Sequence, residues 1–168
     1  MGHFKGIIMS LKEDINFSLW CDFIERDFLE TRFKEIIKKK YIQGATSNPA
    51  IFESSITNSL AYKQQLDMLQ ANNAKTIYEE LALTDIKRAA ALLSDLHKND
   101  ADDGFISIEV DPLLCDDAAG TIEEGVRLYS SISADNVMIK VPATEAGYIA
   151  MRELTSKGIN VNATLIFS

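Results

Sequence analysis

Asn136-Val137-Met138-Ile139-Lys140-Val141 is the stretch that decides the fold. A β-branched, apolar run of this length, stopped by Pro142, reads as a strand. Successive strand side chains point to opposite faces, so Val137, Ile139 and Val141 share one face and Met138 and Lys140 share the other. One face suits a layer of helices. The other presents an amine.

The same division recurs in both directions from this strand. In Phe105-Ile106-Ser107-Ile108-Glu109-Val110, stopped by Asp111-Pro112, the residues Ile106, Ile108 and Val110 oppose Ser107, Glu109 and Asp111. In Ile159 to Ile166, Val161, Ala163 and Leu165 oppose Asn160, Asn162 and Thr164. Near the start, Leu19 and Cys21 oppose Ser18, Trp20 and Asp22. A further strand near Ile42-Gln43-Gly44-Ala45-Thr46 puts Gly44, Thr46 and Asn48 together, and Asn48-Pro49 stops it.

Helical stretches separate these strands. Residues 27–40 carry Phe28, Leu29, Phe33, Ile36 and Ile37 at helical spacing. A long helical region covers about 57–98, with an internal break expected at Thr84-Asp85 because Thr and Asp favour helix starts. Helices are also expected over 121–132 and 145–156, the latter capped by Gly158. Strand–helix alternation argues for a parallel sheet with helical crossovers. An open doubly wound sheet would be apolar on both faces. A closed (β/α)₈ barrel explains the polar second face, because inward groups near the carboxyl ends of the strands form the active site there. The expected class is therefore α/β, a (β/α)₈ barrel represented by about its first five strands. Residues 1–16 read as a leader and 17–168 as the N-terminal part of a single barrel domain. A final strand with no following helix lacks cover on its outer face. The sequence thus reads as a piece of a longer protein, inactive and unstable by itself unless it pairs with the missing half or a second copy.

The bulk properties exclude several classes. The 168 residues are 46% hydrophobic and 25% charged, with a formal net charge of -8. Phosphate-backbone binding needs clustered cations, so no nucleic-acid partner is expected. The one basic run, Lys38-Lys39-Lys40, ends a predicted helix and complements its dipole there. No apolar run is long enough to span a bilayer, and Met1 to Met9 is too short for a signal peptide. Cys21 and Cys115 lack ligand spacing to each other or to His3 and His97, so no metal is expected and a reduced, cytoplasmic setting is the default.

In a barrel, Asp22, Asn48, Glu109, Lys140, Asn162 and Thr164 would converge on one pocket. Burial disfavours the charged form of a lysine and leaves more free amine. A free amine attacks a carbonyl to give a Schiff base, an electron sink for carbon–carbon cleavage. Asp22 and Glu109 are the carboxylates available for proton transfer. Asn48, Asn162 and Thr164 can bind hydroxyls, and no metal or organic cofactor is required. Each residue taken singly has a plainer reading. Lys140 fits a snorkelling or edge position, Asp22 a helix cap, and Glu109 an ion-pair partner of Lys140. Asn48-Pro49 fits a turn, Thr164 a neutral strand position, and Asn162 a partner for nearby backbone.

Several of these segments together resemble the transaldolase family. They are Leu19 to Asp22, Gly44-Ala45-Thr46-Ser47-Asn48-Pro49-Ala50-Ile51-Phe52, and Ile108 to Asp111. Met138-Ile139-Lys140-Val141-Pro142-Ala143-Thr144 with Gly147, and Asn160 to Ser168, complete the set. The resemblance runs from about Phe17 to the last residue. It implies a (β/α)₈ barrel that moves a dihydroxyacetone unit from a ketose phosphate, such as sedoheptulose 7-phosphate, to an aldose phosphate, such as glyceraldehyde 3-phosphate. It implies Lys140 as the imine-forming lysine and Asp22 as the base at the C4 hydroxyl. Glu109 and Thr164 would hold a catalytic water. Asn48, Asn162 and, more weakly, Thr46 would bind substrate hydroxyls. The partners implied are sugar phosphates, with a homo-oligomer left open and the phosphate-binding residues expected on later strands. A fructose 6-phosphate aldolase-like lyase is the alternative within this chemistry, disfavoured by the long 57–98 region. A non-catalytic fragment acting as a binding or assembly module is the alternative outside it.

Overall fold

The computed structural model describes Lys12 and residues 14–167, so most of the expected leader and Ser168 lie outside the described residues. The strands are β1 (Trp20–Cys21), β2 (Gly44–Thr46), β3 (Phe105–Glu109), β4 (Val137–Pro142) and β5 (Asn160–Thr164). They form one five-stranded sheet in the order β1-β2-β3-β4-β5. Every neighbouring pair is parallel. The order never reverses, whereas a doubly wound sheet changes direction at a switch point. Steady progression of βα units in one direction is the construction of a (β/α) barrel wall.

Helices fill the connections. After β1 come α1 (Arg26–Glu30) and α2 (Arg32–Lys38). After β2 come α3 (Pro49–Asn58), a 3₁₀ turn at Leu60–Tyr62, α4 (Lys63–Leu69) and α5 (Ala74–Asn99). A 3₁₀ turn at Pro112–Leu114 and α6 (Ala118–Ile132) follow β3, and α7 (Glu145–Ser156) follows β4. The end of α7 forms as its sequence predicts. Gly158 has φ +78, the Gly158 N–H donates to Thr155 O, and the Ile159 N–H donates to Leu154 O at 3.1 Å. This six-to-one bond with a left-handed glycine closes the helix cleanly.

Three expectations need correction. The single helix over 27–40 is two, because the backbone at Thr31 leaves helical geometry (φ -119, ψ -96). The helical region after β2 starts at Pro49 rather than near 57. The Asn48 side chain accepts from the Ala50 and Ile51 N–H groups and Pro49 fills the first turn, where its missing N–H costs nothing. The expected break at Thr84-Asp85 is absent, and α5 runs straight through it. The Thr84 hydroxyl folds back on Glu80 O, and the Asp85 carboxylate accepts from Arg26 Nε at 2.9 Å and the Tyr62 hydroxyl at 2.8 Å. Neither side chain is left to cap a backbone. Burial pushes the Asp85 carboxyl up, and its bonds to Tyr62 and Arg26 oppose that shift. The actual breaks in this region fall at Ser59 and between α4 and Asn73, whose side chain caps α5.

The core lies between the outer face of the sheet and the helices. Ile106, Ile108, Val110, Val137, Ile139 and Val141 are all 5% exposed or less. They pack in one cluster with Leu81, Ile86, Leu93, Leu128, Ala150 and Leu154 from α5, α6 and α7. Each such aliphatic side chain contributes about 1.5–3 kcal/mol by leaving water. The inner face of the strands is left to polar groups, and it positions the site.

Candidate active site

Lys140 lies late in β4 and is 9% exposed. It is not an edge residue, because β3 and β5 pair with β4 on either side. Register brings its partners alongside, with Glu109 opposite Lys140 on β3 and Asn162 opposite it on β5. The amine sits 3.2 Å from Glu109 Oε2 and donates to Ser47 O at 3.3 Å. The ion-pair reading of Glu109 is therefore met. A buried pair of this kind offsets desolvation only with further hydrogen bonds, and the Ser47 carbonyl supplies one. A carboxylate in contact with an amine can also take its proton and return it, so the structural and chemical roles coexist.

A second line of contacts runs beneath this pair. Asn162 Nδ2 donates to Ser107 Oγ at 3.0 Å, and Ser107 Oγ donates to Thr46 Oγ1 at 2.6 Å. Thr46 Oγ1 donates weakly to Ser47 O at 3.4 Å. Lys140, Glu109, Asn162 and Thr46 are thus brought together on the inner face. Ser107 and the Ser47 carbonyl join them, and neither was singled out in the sequence. Ser107 was visible as the residue sharing a face with Glu109, and its full burial is what alternation could not show.

The other expected residues sit on neighbouring segments with contacts of their own. Asn48 begins α3, and its Oδ1 is occupied by the Ala50 and Ile51 N–H groups. It can offer a ligand only its amide N–H groups. Thr164 ends β5 opposite Pro142, and its carbonyl accepts from Ala143 N. Asp22 follows β1 and is exposed. In sheet order β2 and β3 lie between β1 and the lysine strand. Asp22 does not cap α1, since Glu25 does so by accepting from the Phe28 N–H at 2.7 Å.

The turn after β4 shows why its residues are what they are. Thr144 accepts from the Gly147 N–H at 2.9 Å and donates to Cys115 O at 2.6 Å. A Cβ on Gly147 would stand 2.0 Å from Pro142 O, so only glycine lets α7 begin this close to the strand that holds the lysine. Beside β3, a cavity of about 140 Å³ reaches Glu109 and Ser47 from the helix side. Tyr78 lines it, and its phenol is pushed up to about 12, first by burial and then by the Glu109, Glu53 and Asp111 carboxylates. Asp111 itself caps the turn at Pro112–Leu114 and pairs with Lys75 at 2.5 Å. That contact, with the Leu113 N–H, holds its carboxyl below the usual range.

Parallel strands in sequential order, with a buried lysine–glutamate pair near their carboxyl ends, define an α/β chain of the lysine-bearing barrel class. The chain matches the family described as Transaldolase/Fructose-6-phosphate aldolase over residues 19–168, and it belongs to that family. In that family the sheet is a (β/α)₈ barrel, of which β1 to β5 are the first strands. The chain is 52% identical over 152 residues to the protein named Transaldolase of Helicobacter pylori (strain ATCC 700392 / 26695), covering 90% of this chain and 48% of that one. It is 55% identical over 155 residues to the protein named Transaldolase of Campylobacter jejuni subsp. jejuni serotype O:23/36 (strain 81-176), covering 91% and 46%. The chain spans about half the length of the curated relatives it matches.

Proposed function

We propose that the whole protein carrying this chain is a transaldolase. The observation that carries the reading is the Lys140 amine, buried on the inner face and 3.2 Å from Glu109, in a chain about half identical to proteins of that name. Lys140 attacks the carbonyl of a ketose phosphate such as sedoheptulose 7-phosphate, and water leaves as the imine forms. Glu109, in contact with the amine, exchanges protons with it during imine formation and hydrolysis, with Thr164 helping to hold the water. Asp22 takes the C4 hydroxyl proton as the C3–C4 bond breaks, and the fragment from C4 onward leaves as an aldose phosphate. The electron pair of that bond is held as an enamine on the lysine. The enamine then adds to an aldose phosphate such as glyceraldehyde 3-phosphate, and hydrolysis frees the new ketose. Asn48, Asn162 and Thr46 bind the hydroxyls of the donor.

This chemistry belongs to the non-oxidative pentose phosphate pathway and to a cytoplasmic setting. Among the described residues, no helix is long and apolar enough to cross a membrane. The transferase is preferred to a fructose 6-phosphate aldolase-like lyase because α3 to α5 form a long helical insertion between β2 and β3. The test is product analysis with the whole protein. With a ketose phosphate donor, the aldose acceptor should be required for turnover. Steady release of free dihydroxyacetone without acceptor would favour the lyase.

A further inference from the structure

Ser107 is fully buried at the centre of the inner face, and it touches proposed site residues on both sides. Its single hydroxyl proton goes to Thr46 Oγ1 on β2, and its lone pair accepts from Asn162 Nδ2 on β5. Asn162 is thereby turned so that its Oδ1 is free to accept from a substrate hydroxyl. The backbone at the same position does a separate job. The Ser107 carbonyl accepts from both the N–H and the hydroxyl of Ser47, at 3.0 and 3.1 Å. The Ser47 carbonyl in turn accepts from the Lys140 amine. One residue of β3 therefore orders the hydroxyl-binding side chains through its own side chain, and the lysine's acceptor through its backbone.

We infer that Ser107 is a positioning residue for the donor subsite, acting through Asn162 and Thr46. The inference rests on the transaldolase reading above. Ser107→Ala removes the hydroxyl only. The carbonyl that holds Ser47 stays, so Lys140 keeps its contacts, while the half-buried amide of Asn162 loses the hydroxyl that fixes its orientation. The effect falls on donor binding and leaves imine chemistry intact.

The test is a double-mutant cycle in the whole protein, with sodium borohydride trapping of the donor imine run in parallel. Ser107→Ala is expected to raise KM for the ketose phosphate about tenfold with kcat nearly unchanged. In an Asn162→Ala background the same change is expected to cost less than about threefold, because the group it acts through is gone. At saturating donor, imine should still be trapped in the single variant. If Ser107→Ala does not fold, Ser107→Cys keeps the size, weakens both hydrogen bonds, and should show the same non-additivity. A tenfold effect that persists in the Asn162→Ala background, or no effect of Ser107→Ala on KM, would overturn the inference alone. No imine in the unsubstituted protein would overturn the transaldolase reading and this inference together.

Discussion

Strands β4 and β5 are neighbours with the same alternating sequence, yet they stand in different surroundings. On β4, Val137, Ile139 and Val141 are all 0% exposed beneath α6 and α7. On β5, Val161 is half-buried and Ala163 is exposed, and Leu165 and Ile166 beyond it are 58% and 63% exposed. The strands are in register, with Lys140 opposite Asn162. The difference lies in what flanks them within this chain, since β4 has strands on both sides and β5 has one neighbour among these first five strands of the barrel. Alternation decides which way a side chain points, and neighbours decide whether it is buried. Lys140, between two paired strands, is held at 9% exposure.

The sharpest way to break this comparison is to substitute β4 itself. Lys140→Met should lower activity of the whole protein at least about 10³-fold with the fold retained, checked by kinetics and circular dichroism. Glu109→Gln should lower the rate of imine formation about 10²-fold by removing the proton acceptor beside the amine. Single-turnover trapping would measure it. For packing, Ile139→Ala on β4 should cost the whole protein about 3 kcal/mol, read from denaturant melts. A cost under about 1 kcal/mol would mean that the Ile139 side chain is not packed beneath α6 and α7. The smallest effect concerns the rim beside β3. The Asp111 carboxyl is depressed by Lys75, so the stability it contributes is present above the ordinary aspartate range and is lost as pH falls through its lower folded value. The pair is partly solvated, so the change should be under about 1 kcal/mol. Asp111→Asn should flatten that part of an acid titration of stability.

Much of this was legible in the sequence, for identifiable reasons. The strand faces of β3, β4 and β5 follow from strict alternation of β-branched and polar residues, and the Lys140, Glu109 and Asn162 cluster follows from those faces. The end of α7 follows from Gly158. Where local propensity met tertiary contacts, the reading failed. Thr84-Asp85 carries a helix-start signal, but Arg26 and Tyr62 claim the aspartate. Asn48-Pro49 signals the end of a strand, and the same two residues also start α3. Alternation puts Ser107 on the inner face but shows no role for it, because that role depends on partners from β2 and β5 that only register brings within reach. Asp22 and Thr164 remain proposals by family resemblance. Asp22 is exposed just after β1.

The most direct measurement is borohydride reduction of the whole protein with a ketose phosphate donor, followed by peptide mapping. The prediction is a stable adduct on the peptide containing Lys140, and its loss in Lys140→Met. An adduct on another lysine, or turnover with no adduct at all, would contradict the claim that this buried amine is the nucleophile.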